Sequence, residues 1–328
     1  MVTLRKPAGA RPQAVRGSAI ISALVIAAAV AVIAGAMISR QSVATQGLDN
    51  ARQRAQGEAV LHGMLAWSRQ VLASDRQQEV LTRLDQPWAQ ALDRLPGLSI
   101  QGRFNGWIED EQGRFNLANL VSEGRVDLDA VAAFERLCPL LKVNGRACDA
   151  IVARVIASHD RLPAQSSAPG VTFDSGRDTS SGAALRPTLA VLPMVRGLDD
   201  LRGVKGVDTA SLEQLRDYVT FLPATTWVNG NTASAPVLAA QVPGLTVAKA
   251  QALLAERDHG RWFINRGDFA NRLAMPMLDV QQVKVGITSD WFRVNGVVRR
   301  DGHLLRLQAL LHRDELQAPR LIWERIGS

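Results

Sequence analysis

Apolar and polar positions divide the chain into stretches of different character. From Ser18 to Ser39 no residue is charged, and SAIISALVIAAAVAVIAGAMIS is apolar on every side. A run of that length reads as a helix able to cross a bilayer, which takes about 20 residues. Beyond it the pattern turns amphipathic. Ala44, Leu48, Ala51, Ala55 and Ala59, then Leu61, Met64, Leu65, Trp67, Val71 and Leu72, recur at helical spacing. Arg52, Arg54, Glu58 and Arg69 take other faces, and no proline intervenes. The spacing predicts that the helix continues through residues 40–75, with its later face packed in a core.

Asp85-Gln86-Pro87-Trp88 breaks the helical period, and Pro96-Gly97 marks a turn. Ser99–Gln101 and Gly106–Glu109 read as strands, with Asp110–Gly113 as the turn between two of them and Glu109, Asp110 and Glu111 as a solvated acidic patch. Two helices follow, Asp127–Leu137, stopped by Pro139, and Ala147–Ser158. Residues 161–187 are a Pro-, Ser- and Gly-rich loop, and 198–286 alternate short helices with turns. Strand patterns return at Trp291–Val294, Val297–Arg300, Leu304–Leu311 and Pro319–Trp323, with Asp301-Gly302 as a hairpin turn. Local patterns thus give strands, then helices, then strands.

Composition changes this picture at the N-terminus. The formal charge is +7 over 328 residues. Arg5, Lys6, Arg11 and Arg16 fall in residues 1–17 with no acid, and setting them aside leaves 34 basic against 31 acidic residues. The basicity therefore orients a membrane segment, holding the N-terminus in the cytoplasm and exporting the rest. Three readings of the segment remain open: a secretory signal peptide cut at Ala34-Gly35-Ala36, an unprocessed signal anchor, or a leader cut at Gly17. Two cysteines, Cys138 and Cys148, can close one short loop in an oxidising compartment and stay thiols in a reducing one. No catalytic constellation is visible: the five histidines are scattered, and HExxH, GxSxG and Walker patterns are absent, so the chain is read as no enzyme.

The junction Val15-Arg16-Gly17 before Ser18-Ala19 resembles a type IV prepilin signal. The resemblance implies cleavage after Gly17 by a prepilin peptidase and methylation of Ser18. Most pilins carry glutamate at the fifth mature position, which here is Ser22. Residues Ile108–Leu120, IEDEQGRFNLANL, resemble the motif I-x-D-x-x-G-(R/K)-(F/L)-N-(L/I)-N-x-L of the K-subunit (GspK) minor pseudopilins of type II secretion, with Ala118 in place of the second Asn. Leu198–Val204, Val219–Pro223 and Trp227–Leu238 resemble that family's later segments in order, with Gly230 in place of an apolar residue.

The resemblance implies an α+β fold: a pilin-like long N-terminal helix packed on an antiparallel sheet, with a large all-α insertion domain. It implies a cleaved leader at 1–17, a transmembrane part at 18–39, the periplasmic helix and first strands at 40–120, the insertion at 121–286 and closing strands at 287–328. The function expected is a minor pseudopilin at the tip of the pseudopilus, anchored in the inner membrane with its bulk in the periplasm. Its partners would be the I- and J-type minor pseudopilins, the major pseudopilin, the prepilin peptidase and the inner-membrane assembly platform. Ser22, lacking the carboxylate that pairs with a neighbouring subunit's terminal amine, marks the tip position. No cofactor is expected with certainty. Members of the family can bind calcium, but here only Asp160, Asp174 and Asp178 are at hand, beside Arg161 and Arg177, which argues against it. The rival reading is a membrane-anchored helix-hairpin-helix protein that binds DNA, resting on Asn229-Gly230-Asn231-Thr232-Ala233 and Pro243-Gly244-Leu245. It is weakened by the missing second glycine at Thr246 and by only two cations, Lys249 and Arg257, on the following helix.

Overall fold

The computed structural model describes residues 16–92, 103–162, 188–280, 283–300, 303–315 and 317–327. Two compact units are present, Met1–Glu58 and Ala59–Ser328. Helix α1, Arg16–Gln78, contributes to both. In the first unit its apolar side chains, Ile20, Leu24, Val30, Ile33 and Met37 among them, are exposed. Among the described residues α1 is the one helix long and apolar enough to cross a membrane, so this arm is a candidate anchor. The leader 1–17 lies almost wholly outside the described residues.

In the second unit, Leu61, Met64, Leu65 and Leu72 are buried on one stripe of α1. They pack on a four-stranded antiparallel sheet of β1 (Arg103–Asp110), β8 (Trp291–Arg300), β9 (His303–His312) and β10 (Arg320–Gly327), in that order. Alternate residues Phe292, Val294 and Val298 on β8 and Leu305, Leu307, Ala309 and Leu311 on β9 form the face beneath the helix. Asn295-Gly296 does not divide β8 into two strands, because Gly296 pairs with Gly106 of β1 directly under Met64. A Cβ built on Gly106 would lie 2.5 Å from Met64 Sδ, and one on Gly296 would meet Met64 and Leu61. The paired glycines form the notch that admits the helix. Gly296→Val is expected to cost about 1–3 kcal/mol by overpacking. Adding Met64→Ala should recover part of that loss in denaturant unfolding.

Between β1 and β8 lie α2 (Leu128–Leu140), α3 (Gly145–Ile156), α4 (Thr209–Leu215), α5 (Ala235–Gln241), α6 (Val247–Asp258) and α7 (Arg266–Leu273). Short strands join them: β2 (Phe115–Asn116), β3 (Val121–Ser122), β4 (Arg125–Val126), β5 (Val219–Thr220), β6 (Val228–Asn229) and β7 (Val285–Gly286). They share a second core around Phe115, Phe134, Ile151, Leu215, Leu238, Phe263 and Phe269. The fold is α+β, a long N-terminal helix on an antiparallel sheet with a helical region inserted between its first two strands in sequence.

Pro139 does not stop α2, which contains it in its final turn. There its missing N–H removes only one late bond, and Leu141 and Val143 N–H close on Leu137 and Cys138 carbonyls. Cys138 and Cys148 are joined as a disulfide between α2 and α3, with Cα atoms 6.3 Å apart. Replacing both by serine is expected to lower stability by ~2–3 kcal/mol, read as the difference between oxidised wild type and the double variant in urea.

Candidate functional site

The motif that follows Ile108 does not form a hairpin. After β1 the chain makes one 3₁₀ turn, Glu111–Gly113, and β2 then pairs in parallel with β5. This carries the acidic residues inward, so Asp110 and Glu111 are not a solvated patch: they are 8% and 0% exposed. Asp110 ends β1 and accepts from Gln112 N at 2.8 Å, Thr232 Oγ1 at 2.5 Å, Ser289 Oγ at 2.6 Å and Asn229 Nδ2 at 3.1 Å. Burial raises its pKa, opposed by those hydrogen bonds. Asn229 also reaches Thr82 O at 3.2 Å and Ser289 Oγ at 2.8 Å.

Beneath this lies Arg313, just past β9 and 1% exposed. Its guanidinium donates to Asp75 Oδ2 at 3.2 Å, Thr82 Oγ1 at 2.8 Å and Ser289 O at 2.7 Å, and stacks 4.7 Å from the Phe292 ring centroid. Helix α1, the sheet and the inserted region therefore meet in one chain of buried polar groups. Glu111 extends it, bridging Arg114 at 3.0 Å, Arg293 at 2.8 Å and the Thr220 hydroxyl.

The motif asparagines clamp backbone. Asn116 accepts from Leu222 N at 3.1 Å and donates to Ala224 O at 2.8 Å. Asn119 accepts from Thr226 N at 3.0 Å and donates to Thr226 O at 2.7 Å. Asn231 holds Phe263 the same way, at 2.9 and 2.8 Å. A Cβ on Gly113 would lie 2.9 Å from Thr232 Oγ1 and 3.1 Å from its carbonyl oxygen, so only glycine admits this approach. At Gly230, Val285 and Phe263 occupy the space a side chain would take, at 3.2 and 3.4 Å from such a Cβ. The two motifs are thus the facing halves of one junction. Sequence reading found its acids and asparagines but missed Asp75, Thr82, Ser289 and Arg313, which stand in no local pattern.

The remaining sequence candidates are dispersed. Gly17 and Ser18 fall in the first turn of α1, and Ser22 lies further along it on an exposed stretch. Of the acids weighed for calcium, Asp160 accepts from Ala190 N at 2.7 Å, while Asp174 and Asp178 lie outside the described residues. Among the described residues no group of three or more metal-ligating side chains gathers. Of the two cations of α6, Arg257 is buried and reaches Ala233 O at 2.8 Å and Gly230 O at 3.2 Å, while Lys249 Nζ reaches Ala274 O at 3.4 Å at the surface. That leaves one surface cation on α6, too few to neutralise several phosphates.

A long helix with an apolar first arm, laid in its second half on an antiparallel sheet with a helical region inserted after the first strand, defines a pilin-type protein with an elaborated head. Sequence models described as "Type II secretion system (T2SS), protein K" match residues 113–224 and 228–288, together more than half of the chain. The chain belongs to the protein K family of minor pseudopilins. It is 26% identical over 221 residues to the type II secretion system protein K of Pseudomonas aeruginosa PAO1, covering 67% of this chain and 63% of that relative's length. Its fold is similar to a chain in the crystal structure of the GspK–GspI–GspJ complex from enterotoxigenic Escherichia coli, with a TM-score of 0.64 at 18% identity, over 85% of this chain and 98% of that one.

Proposed function

We propose that this chain is the minor pseudopilin at the tip of the type II secretion pseudopilus, where it joins I- and J-type subunits, initiates the filament and supports export of folded proteins. The family match over residues 113–224 and 228–288 carries the reading. The E. coli relative's complex with GspI and GspJ supports the choice of partners. The basic residues ahead of α1 support an inner-membrane anchor with the bulk in the periplasm. Growth from below needs a subunit onto which others add and which itself adds to none. Serine at position 22, in place of a carboxylate, suits such an end position, and so does the helical insertion at 121–286, which is bulky for a filament interior. The mechanism is mechanical: lateral contacts along α1 assemble the subunits, and the polar junction keeps the head rigid as the filament pushes.

The test is the mass of the N-terminal peptide of the membrane-extracted protein, from cells with and without prepilin peptidase. The expected chain begins at N-methylated Ser18 only when the peptidase is present. A chain beginning at Met37, or one retaining Met1 in both strains, overturns the reading.

A further inference from the structure

A cleft of about 530 Å³ opens on the face of the sheet away from α1. Its floor is Leu222 and Leu310, both buried, with half-buried Ile322 and Trp323 of β10 beside them. Ala118, the residue that departs from the family motif, lies in its wall, so a smaller side chain there leaves the cleft open. Next to it the chain exposes a run of apolar side chains: Leu189 (71%), Val191 (75%), Leu192 (41%) and Met194 (58%), the last lining the cleft itself. Contiguous apolar surface of this kind marks a contact site.

Two observations identify the occupant. First, β10 is the terminal strand of the sheet, paired only with β9 among the described residues. Its outer edge offers backbone donors and acceptors that an extended segment can pair with, while alternate side chains enter the apolar floor. Second, the ionisable lining residues are Arg196, Arg325 and His159, with no carboxylate among them. Arg196 and Arg325 are exposed, and Arg325 stands 5.1 Å over the Trp323 ring. The neighbouring acid on β10, Glu324, points to the other face and pairs with His62 at 4.0 Å. A cationic rim over an apolar floor selects a segment that is apolar along its length and acidic at one end. A second copy of this chain would bring a like-charged rim against this one.

We propose that this cleft docks an extended, acid-ended apolar segment of a partner protein as an added strand beside β10. This goes beyond the assembly role and stands whether or not the chain occupies the filament tip. The test uses the full-length protein in nanodiscs and fluorescein-labelled peptides of roughly ten residues that alternate Val and Thr. One peptide ends in a pair of Asp, one in a pair of Lys, and one carries a central Pro with the Asp end. Fluorescence anisotropy should show the Asp-ended peptide binding about tenfold tighter than the Lys-ended one, with the Pro peptide failing to bind. Arg196→Glu/Arg325→Glu changes two exposed side chains, so its thermal unfolding should match wild type, and it should reverse the preference. Equal binding of both peptides, no binding, or indifference to the double substitution overturns the proposal. So does a dimer seen by light scattering that the same substitutions dissociate, since the occupant is then a second copy.

Discussion

Arg313→Ala is expected to lower the unfolding free energy by about 3–5 kcal/mol, because it strands a buried carboxylate rather than because it removes a favourable bond. Arg313 and Asp75 are 1% and 7% exposed, and their contact at 3.2 Å joins the end of β9 to α1. The same substitution leaves Thr82 Oγ1 and Ser289 O without their guanidinium donor. Desolvation already holds the Asp75 pKa above 3.8, with Arg313 pulling it down, Glu79 pushing it up and Arg83 pulling it down more weakly. A carboxylate with a raised folded pKa contributes its stability below the unfolded value and loses it as pH rises through the folded one. Removing Arg313 raises that pKa further, so the penalty grows with pH. Urea unfolding should show a larger difference between Arg313→Ala and wild type near pH 7 than near pH 4.5. Pairing Asp75→Leu with Arg313→Met should recover about half of the loss, since no charge is then left buried. A pH-independent difference would place the cost in lost packing on Phe292 instead.

What could be read from the sequence follows from how local each signal is. The apolar N-terminal run, the amphipathic continuation of α1 and the strands near Leu304–Leu311 and Pro319–Trp323 carry their own periodicity, and they form a helix and strands as expected with ends shifted by a few residues. Two expectations failed where a distant partner overrides a local signal. Asp110–Gly113 looks like a hairpin turn, yet β2 leaves to pair with β5, more than a hundred residues away in sequence. The break expected at Asn295-Gly296 is absent because Gly296 serves the helix crossing, not a turn. The same limit explains the solvated reading of Asp110 and Glu111. Three adjacent acids beside a glycine suggest exposure until Asn229, Thr232, Ser289 and Arg293 are known to converge on them. The string IEDEQGRFN was legible as a family mark, but its physical role was not, because every group that satisfies it lies elsewhere in the chain.

Asp110→Ala should destabilise the head by about 3–5 kcal/mol, lowering the melting temperature by roughly 10 °C, and should do so at the junction first. The substitution removes the common acceptor of four donors; Gln112 N cannot turn away and is left buried without a partner, whereas Asn229 Nδ2 keeps Thr82 O and Ser289 Oγ. Hydrogen exchange should accelerate in 228–233 and 287–290 before it does in the strands beneath α1. Asp110→Asn keeps one acceptor oxygen, and the Thr232 and Ser289 hydroxyls can turn to receive its amide, so its cost should be about 1–2 kcal/mol. The pH dependence separates the carboxylate from its shape. Because burial raises the pKa of Asp110, its ionisation opposes folding, and its contribution increases as pH falls through the folded pKa toward 3.8. Wild type should therefore gain on Asp110→Asn as the solution is acidified from neutrality. If Asp110→Ala instead unfolds at the wild-type midpoint with unchanged exchange, the motif does not hold the inserted region to the sheet, and a rigid head can no longer be argued from it.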